Sequence, residues 1–188
     1  MHKNIQIKKI LWPVFIALLS VFIFGANCYC DIKPGNRFIH ISKVFSIIPP
    51  EGFNQVIPRE DGTQFINPVD KSFFDISFSF AAEKFSDSEL IGRFREEAFR
   101  QEFIKGLEQN TSSMNTKVIS SREISVSGIP AWEFVAEGIT VRGAFRNRFI
   151  IFYKNNKSFL VLAGANKNTQ DTKRLALIEE SLSTIEIK

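Results

Sequence analysis

FFDISFSFAAEKFSDSELIGRFREEAFRQEFIKGLEQN, residues 73–110, changes its apolar period halfway along, and that change decides the fold class. In the first part Phe74, Ile76, Phe78 and Phe80 alternate with Asp75, Ser77 and Ser79. Successive side chains of a strand point to opposite faces, so the spacing predicts a strand with one apolar face, half-buried on a core. In the second part Ser86-Asp87-Ser88-Glu89 has the form of a capping box. Leu90, Ile91, Phe94, Ala98, Phe99, Phe103 and Leu107 then recur mostly at three- and four-residue steps. Glu89, Arg93, Glu96, Glu97, Arg100, Lys105 and Glu108 take the other side, with Glu89–Arg93 and Glu96–Arg100 in the favourable i,i+4 order. The expectation is a single amphipathic helix over about 86–109, lying on a sheet.

Outward from this stretch the pattern is mostly strand. Lys117–Val126, Ala131–Glu137, Val141–Tyr153 and Lys157–Ala165 read as an antiparallel run, with a turn at Ser127-Gly128-Ile129-Pro130. Asn155-Asn156 suits a tight hairpin turn that needs positive φ. Phe149–Tyr153 and Phe159–Ala163 are apolar on both faces, as central strands are. Upstream, Arg37–Ile48 reads as strand-like, ended by Pro49-Pro50-Glu51-Gly52, and Thr63–Ile66 as a short strand after the Asp61-Gly62 turn. Downstream, Leu175, Ile178 and Leu182 form the inner stripe of a last helix, and Thr184–Ile187 a final strand. Strand runs separated by helices, without strict alternation, predict α+β with a mostly antiparallel sheet.

The chain has 188 residues with a net charge of +4, and its first thirty are an address. Lys3, Lys8 and Lys9 precede an apolar run from Ile10 to Ala26, closed by Gly25 and Ala26 and followed by Cys28 and Cys30. Basic, then apolar, then small is the order of a secretory signal peptide. Cleavage falls near Ala26, Cys28 and Cys30. An uncleaved anchor that associates with the membrane through residues 10–26, or a lipid-modified Cys28, are the alternatives. The expected organisation is a leader over 1–30, a linker over 31–36 and one domain over 37–188, exported to the periplasm or beyond. Without the leader the net charge is +1, which removes the bulk attraction to phosphate polymers, so no nucleic-acid partner is expected. The body from Asp31 on holds no Cys and must be stabilised by its core.

Four stretches carry a family resemblance. They are FSIIPPEGF (45–53), INPVDKSFFDISFSF (66–80), VSGIPAWEFVAEG (126–138) and the closing LIEESLSTIEI (177–187). Together they resemble the PsbP/Mog-type family of α-β-α sandwiches over nearly all of 38–187. The resemblance implies a non-enzymatic adaptor or assembly domain. Some members are extrinsic subunits on the lumenal side of photosystem II, others bind a small GTPase in the nucleus, and many bacterial members are exported. The leader argues against the nuclear role. No ligand motif carries over, so no cofactor, calcium or chloride is expected. Fold alone does not transfer function.

Most catalytic chemistries lack their residues. The body has no Cys nucleophile, and His40 is its one histidine, so two-histidine metal sites are ruled out. A serine triad would have to use His40, and no Gly-x-Ser-x-Gly elbow or glycine-rich phosphate loop is present. His40 is expected as a strand residue. The pairs Glu96-Glu97 and Glu179-Glu180 are expected on solvated helix faces. No catalytic residue and no metal site is therefore assigned.

Arg142, Arg146 and Arg148 share parity in one strand and project from one sheet face, with Phe145, Phe149 and Ile151 on the other. Three guanidiniums so placed could clamp an acidic partner or head group. The ordinary alternative pairs them with Glu123, Glu133 or Glu137 on neighbouring strands. The expected function is an exported, non-catalytic binding or adaptor domain that docks on a protein or membrane-associated assembly of the envelope. The alternatives are a carrier of a small apolar ligand or lipid between helix and sheet, and a hydrolase using His40.

Overall fold

The computed structural model describes residues 30–80, 86, 89–111, 115–140, 143–166 and 172–188. An eight-stranded antiparallel sheet forms the middle layer. Its short first strand is β1 (Cys30–Asp31); β2 (Phe38–Ile39) and β3 (Phe45–Ile47) leave for a second sheet. β4 (Gln55–Arg59), β5 (Gly62–Ile66) and β6 (Phe73–Phe80) form a meander, and α1 (Glu89–Arg95) and α2 (Glu97–Asn110) follow. A second meander runs through β7 (Lys117–Val126), β8 (Ile129–Thr140), β9 (Gly143–Lys154) and β10 (Lys157–Asn166). The chain ends with α3 (Thr172–Ser183) and β11 (Glu186–Ile187). The strand order is β1-β4-β5-β6-β10-β9-β8-β7, and β11-β3-β2 forms the smaller sheet.

The fold is α+β with a mostly antiparallel sheet, and the strands apolar on both faces, β9 and β10, do lie centrally. On one side α1 and α2 bring Ile91, Phe94, Phe103 and Leu107 onto Trp132, Phe134, Ile151 and Tyr153. On the other, α3 and the small sheet bring Ile178, Leu182, Phe45 and Ile47 onto Phe74, Ile76, Phe152 and Val161. Asn155 and Asn156 hold φ of 52° and 59° in the β9–β10 turn, as the hairpin chemistry predicts.

Three local expectations are corrected. The helix expected over 86–109 is broken at Glu96, whose ψ of 117° is extended. The step from Phe94 to Phe99 is five residues, which 3.6 residues per turn cannot place on one stripe. The break turns α2 so that Phe99 meets Phe94 edge-on at 5.2 Å while Ala98 stays exposed. Second, the strand-like run 37–48 is two short strands. Lys43 at φ 58° turns the chain between them, and its N–H donates to the His40 carbonyl at 2.7 Å. Third, β6 lies inside the sheet with a packed layer on each side, so both its faces are buried and Asp75 and Ser77 face the interior and not water. β4, which contains Pro58, was not expected. The two-residue β1 covers only Val56 and Gln55, so Pro58 lies on an open edge where a missing donor costs nothing.

The entry to α1 follows the capping box in part. The Ser86 N–H donates to the Glu89 carboxylate at 2.8 Å, and this bond holds that exposed carboxyl below its ordinary value. A carboxyl lowered by folding favours the fold above its unfolded value and loses that contribution as pH falls through the lower folded value. The Ser86 amide resonance is therefore expected to titrate with a midpoint below about 4.3, and Glu89→Gln to abolish the titration.

One glycine is fixed by close approach. A Cβ on Gly62 would stand 2.2 Å from the Ile76 carbonyl oxygen and 2.8 Å from Ser77 Cα. Both are backbone atoms of a paired strand and cannot swing away. Gly62→Ala is expected to cost about 1–3 kcal/mol in urea unfolding, the range for overpacking.

Candidate functional site: an arginine–glutamate ladder beside the C-terminal helix

Hairpin register decides which charges meet. β8 and β9 pair with Glu133 opposite Ile150, Val135 opposite Arg148, and Glu137 opposite Arg146. β7 brings Arg122 opposite Glu133. These side chains share parity with Ala131, Ile150 and Phe152 and lie on the side of the sheet that carries α3. Arg122 Nε donates to Glu133 at 2.6 Å, and Arg148 donates to the other Glu133 oxygen. Arg148 also reaches Glu179 of α3 at 3.4 Å, and Arg146 Nε donates to Glu137 at 2.8 Å.

Burial falls along the ladder. The side chains of Glu133 and Arg148 are 1% and 7% exposed, while that of Arg122 is 62% exposed. A carboxylate so deep needs its charge matched and its lone pairs filled. Glu133 has both from two arginines. The hydrogen bond to Glu133 also raises Arg122 above its ordinary value. The geometry joins β7, β8, β9 and α3 through matched charge. An incoming anion would have to displace a glutamate to use Arg146 or Arg148.

The expected clamp residues are thus placed unequally. Arg146 and Arg148 share the face that parity predicts, and each is paired with a glutamate of β8. Arg142 lies outside the described residues, as do Ala26 and Cys28. Cys30 begins β1, its backbone paired with Val56. Among the described residues no helix is long and apolar enough to cross a membrane, and residues 10–26 lie outside the described residues. No group of three His, Cys, Asp or Glu among the described residues could hold a metal ion.

His40, expected within a strand, follows the end of β2 and is buried, and both ring nitrogens are engaged. Nε2 lies 2.8 Å from the Arg59 carbonyl, an acceptor, so it carries the proton. Nδ1 then accepts from the Ser42 hydroxyl at 2.7 Å. The ring stacks on Phe45 at 4.9 Å and meets Phe78 edge-on. Glu96, Glu97, Glu179 and Glu180 are exposed.

Sequence reading missed a second buried pair. Arg59 of β4 grips Asp75 of β6 with both prongs, at 2.7 and 2.8 Å, across β5. Burial pushes the Asp75 carboxyl up, and the hydrogen bonds and charge of Arg59 oppose that push. The signal available in the sequence was one acid inside a strand whose neighbours are all apolar or hydroxylic.

No family model matches the chain, and no curated protein matches it significantly. Solved structures do resemble it. A cyanobacterial PsbP (CyanoP) from Synechocystis sp. PCC 6803 superposes with a TM-score of 0.62 at 10% identity, covering 88% of this chain and 99% of that one. LpqN of Mycobacterium tuberculosis, described as involved in cell envelope biogenesis, gives 0.52 at 9% identity, over 87% and 92% of the two chains. A protein from Bacteroides thetaiotaomicron VPI-5482 gives 0.54 at 18% identity over 83% of this chain, which spans 49% of that one, about half its length. The fold is PsbP-like, in agreement with the resemblance of the four stretches.

Proposed function

We propose that the chain is an exported, non-catalytic binding domain that docks on a protein or membrane-associated assembly of the cell envelope. His40 carries the reading. Its ring is buried, its Nε2 is bound to the Arg59 and Gly62 carbonyls, and among the described residues no carboxylate bonds to it, so the Ser42–His40 contact lacks the acid that orients the base of a triad. The buried acids Asp75 and Glu133 are each matched to arginine and serve folding. The leader supports export, and the similarity of fold to LpqN, described as involved in cell envelope biogenesis, fits an envelope setting. Rings of Phe94, Phe103 and Phe134 fill the space between helices and sheet, with Phe103 stacked on Phe134 at 4.9 Å, which favours docking at the surface over carriage of a ligand inside.

The test is cross-linking of the tagged full chain in the envelope fraction of the cell that makes it. One reproducible assembly, competed away by excess untagged chain, is expected. A hydrolytic activity lost in a folded His40→Asn variant would replace this reading with the enzyme.

A further inference from the structure

We propose that one end of the fold, carrying Ile39, Ile41 and Phe80 among Lys43, Lys154 and Lys157, rests on an anionic lipid bilayer. The inference rests on the docking reading and names the surface on which the docked domain stands.

Strand register gathers these residues. Gly62 pairs with Ser77, Phe80 with Lys157, and Lys157 with Lys154, so the β4–β5 turn, the last residue of β6 and the β9–β10 turn lie at one end of the large sheet. The β2–β3 hairpin reaches the same end. His40 Nε2 lies 2.8 Å from the Arg59 carbonyl, and the His40 ring meets Phe78 edge-on at 5.3 Å. His40 is buried, while Ile39 and Ile41 on either side of it are 53% and 62% exposed, and Phe80 is 72% exposed. Apolar residues exposed singly need no explanation, but a group of them at one end, rimmed by charge, marks a contact surface. The Lys157 ammonium lies 5.4 Å from the Phe80 ring centroid. Lys43 is exposed on the hairpin and makes no ion pair among the described residues. Of the acids at the β4–β5 turn, Asp61 bonds to Arg59 at 3.4 Å and Glu60 is exposed, so the rim is basic on balance.

Apolar tips framed by lysines suit a bilayer surface. The tips enter the acyl boundary while the ammonium groups stay among anionic head groups. The path of the chain selects a bilayer over a protein partner. β1 runs antiparallel to β4, with Cys30 opposite Val56 and Asp31 opposite Gln55, so the chain enters β1 from the side of Arg59, which is this same end. Val56 stands three residues from Arg59, about 10 Å along the strand. The apolar run closed by Ala26 stands four residues before Cys30, a reach of at most about 14 Å. A bilayer that holds this run is therefore kept against this end and cannot reach the opposite one. Tethering also raises the local concentration of the surface, so a few weak contacts suffice to orient the domain.

The test uses the full chain with Cys28→Ser and Cys30→Ser, one new cysteine carrying a fluorescent dye, and vesicles of phosphatidylglycerol and phosphatidylcholine with spin-labelled acyl chains. Ile41→Cys and Phe80→Cys place the dye at the proposed surface. Val69→Cys and Ile139→Cys place it on residues 90% and 61% exposed at the opposite end, where β5 leads into β6 and β8 into β9. Quenching is expected to be severalfold stronger at the first two positions. Lys43→Gln together with Lys157→Gln, or vesicles of phosphatidylcholine alone, should remove most of that difference, since each lysine beside an anionic surface contributes about fivefold. Glu60→Gln, which removes the exposed acid, should enlarge it. Equal quenching at the two ends, or a difference unchanged in neutral vesicles, overturns the proposal. If the ends are quenched alike and the cross-linked assembly still forms, this surface is wrong and docking stands. If this end alone is quenched and no assembly forms, the surface stands and docking on an assembly falls.

Discussion

Arg59→Ala is expected to lower folding stability by about 3–5 kcal/mol at neutral pH, because it strands the buried Asp75 carboxylate without its counter-charge. Asp75 is 1% exposed, and both its oxygens are taken by the Arg59 fork. Coulomb attraction and two charged hydrogen bonds vanish together, while the desolvation cost of the carboxylate remains. The dependence on pH identifies the cause. Burial already raises this carboxyl, and removal of Arg59 takes away what opposes the rise. A carboxyl whose folded pKa exceeds its unfolded one favours folding below the unfolded value and loses that contribution as pH rises through the folded value. The deficit of Arg59→Ala should therefore be smallest near pH 4 and grow toward pH 7 in urea titrations. The double variant Arg59→Met, Asp75→Leu removes charge and counter-charge together and should recover most of the loss. A deficit independent of pH, or a double variant no better than the single, would show that the pair matters for packing and not for charge.

That pair also marks where sequence reading stops. Period, turn chemistry and apolar runs are local, and each led to the right element: the alternation in β6, positive φ at Asn155-Asn156, and central strands where both faces are apolar. Asp75 was read as solvent-facing because alternation reports which residues share a face and not what covers that face. Its burial follows from the place of β6 in the strand order, which no window of sequence contains. His40 interrupts a strand-like run for the same reason. Its imidazole binds carbonyls of Arg59 and Gly62, about twenty residues away. The helix break was written in the sequence, as the five-residue step from Phe94 to Phe99, but the surrounding periodicity masked it. The family resemblance gave the layers, since it summarises the long-range order that local pattern lacks.

The arginines of β9 give the second large effect, and they separate two uses of the same parity. Arg148→Ala should cost about 3–5 kcal/mol, because Glu133 beneath it is 1% exposed and keeps only the outlying Arg122. Arg146→Ala should cost about 1 kcal/mol or less, since Arg146 and Glu137 are 33% and 23% exposed and water can replace either partner. Two residues apart, facing the same way, each paired with a glutamate of the same neighbouring strand, they differ in depth and in the further reach of Arg148 to Glu179 of α3. If both acted as equal prongs of a ligand clamp, both would be dispensable for folding, and urea midpoints of the two variants would nearly coincide. The ladder predicts midpoints far apart. It also predicts a cycle: with Glu133→Met in place, Arg148→Met should be far less damaging than Arg148→Met in the otherwise unaltered chain, because the buried charge it would otherwise strand is gone. Arg122→Ala falls between them. It leaves Glu133 with Arg148, so the buried carboxylate keeps a full counter-charge and loses one hydrogen bond of 2.6 Å at its outer edge. The order Arg148, Arg122, Arg146 in stability loss thus follows from the depth of the glutamate each one holds, 1% exposed for Glu133 and 23% for Glu137, and any other order would mean that the charges are not what joins β7, β8 and β9 there.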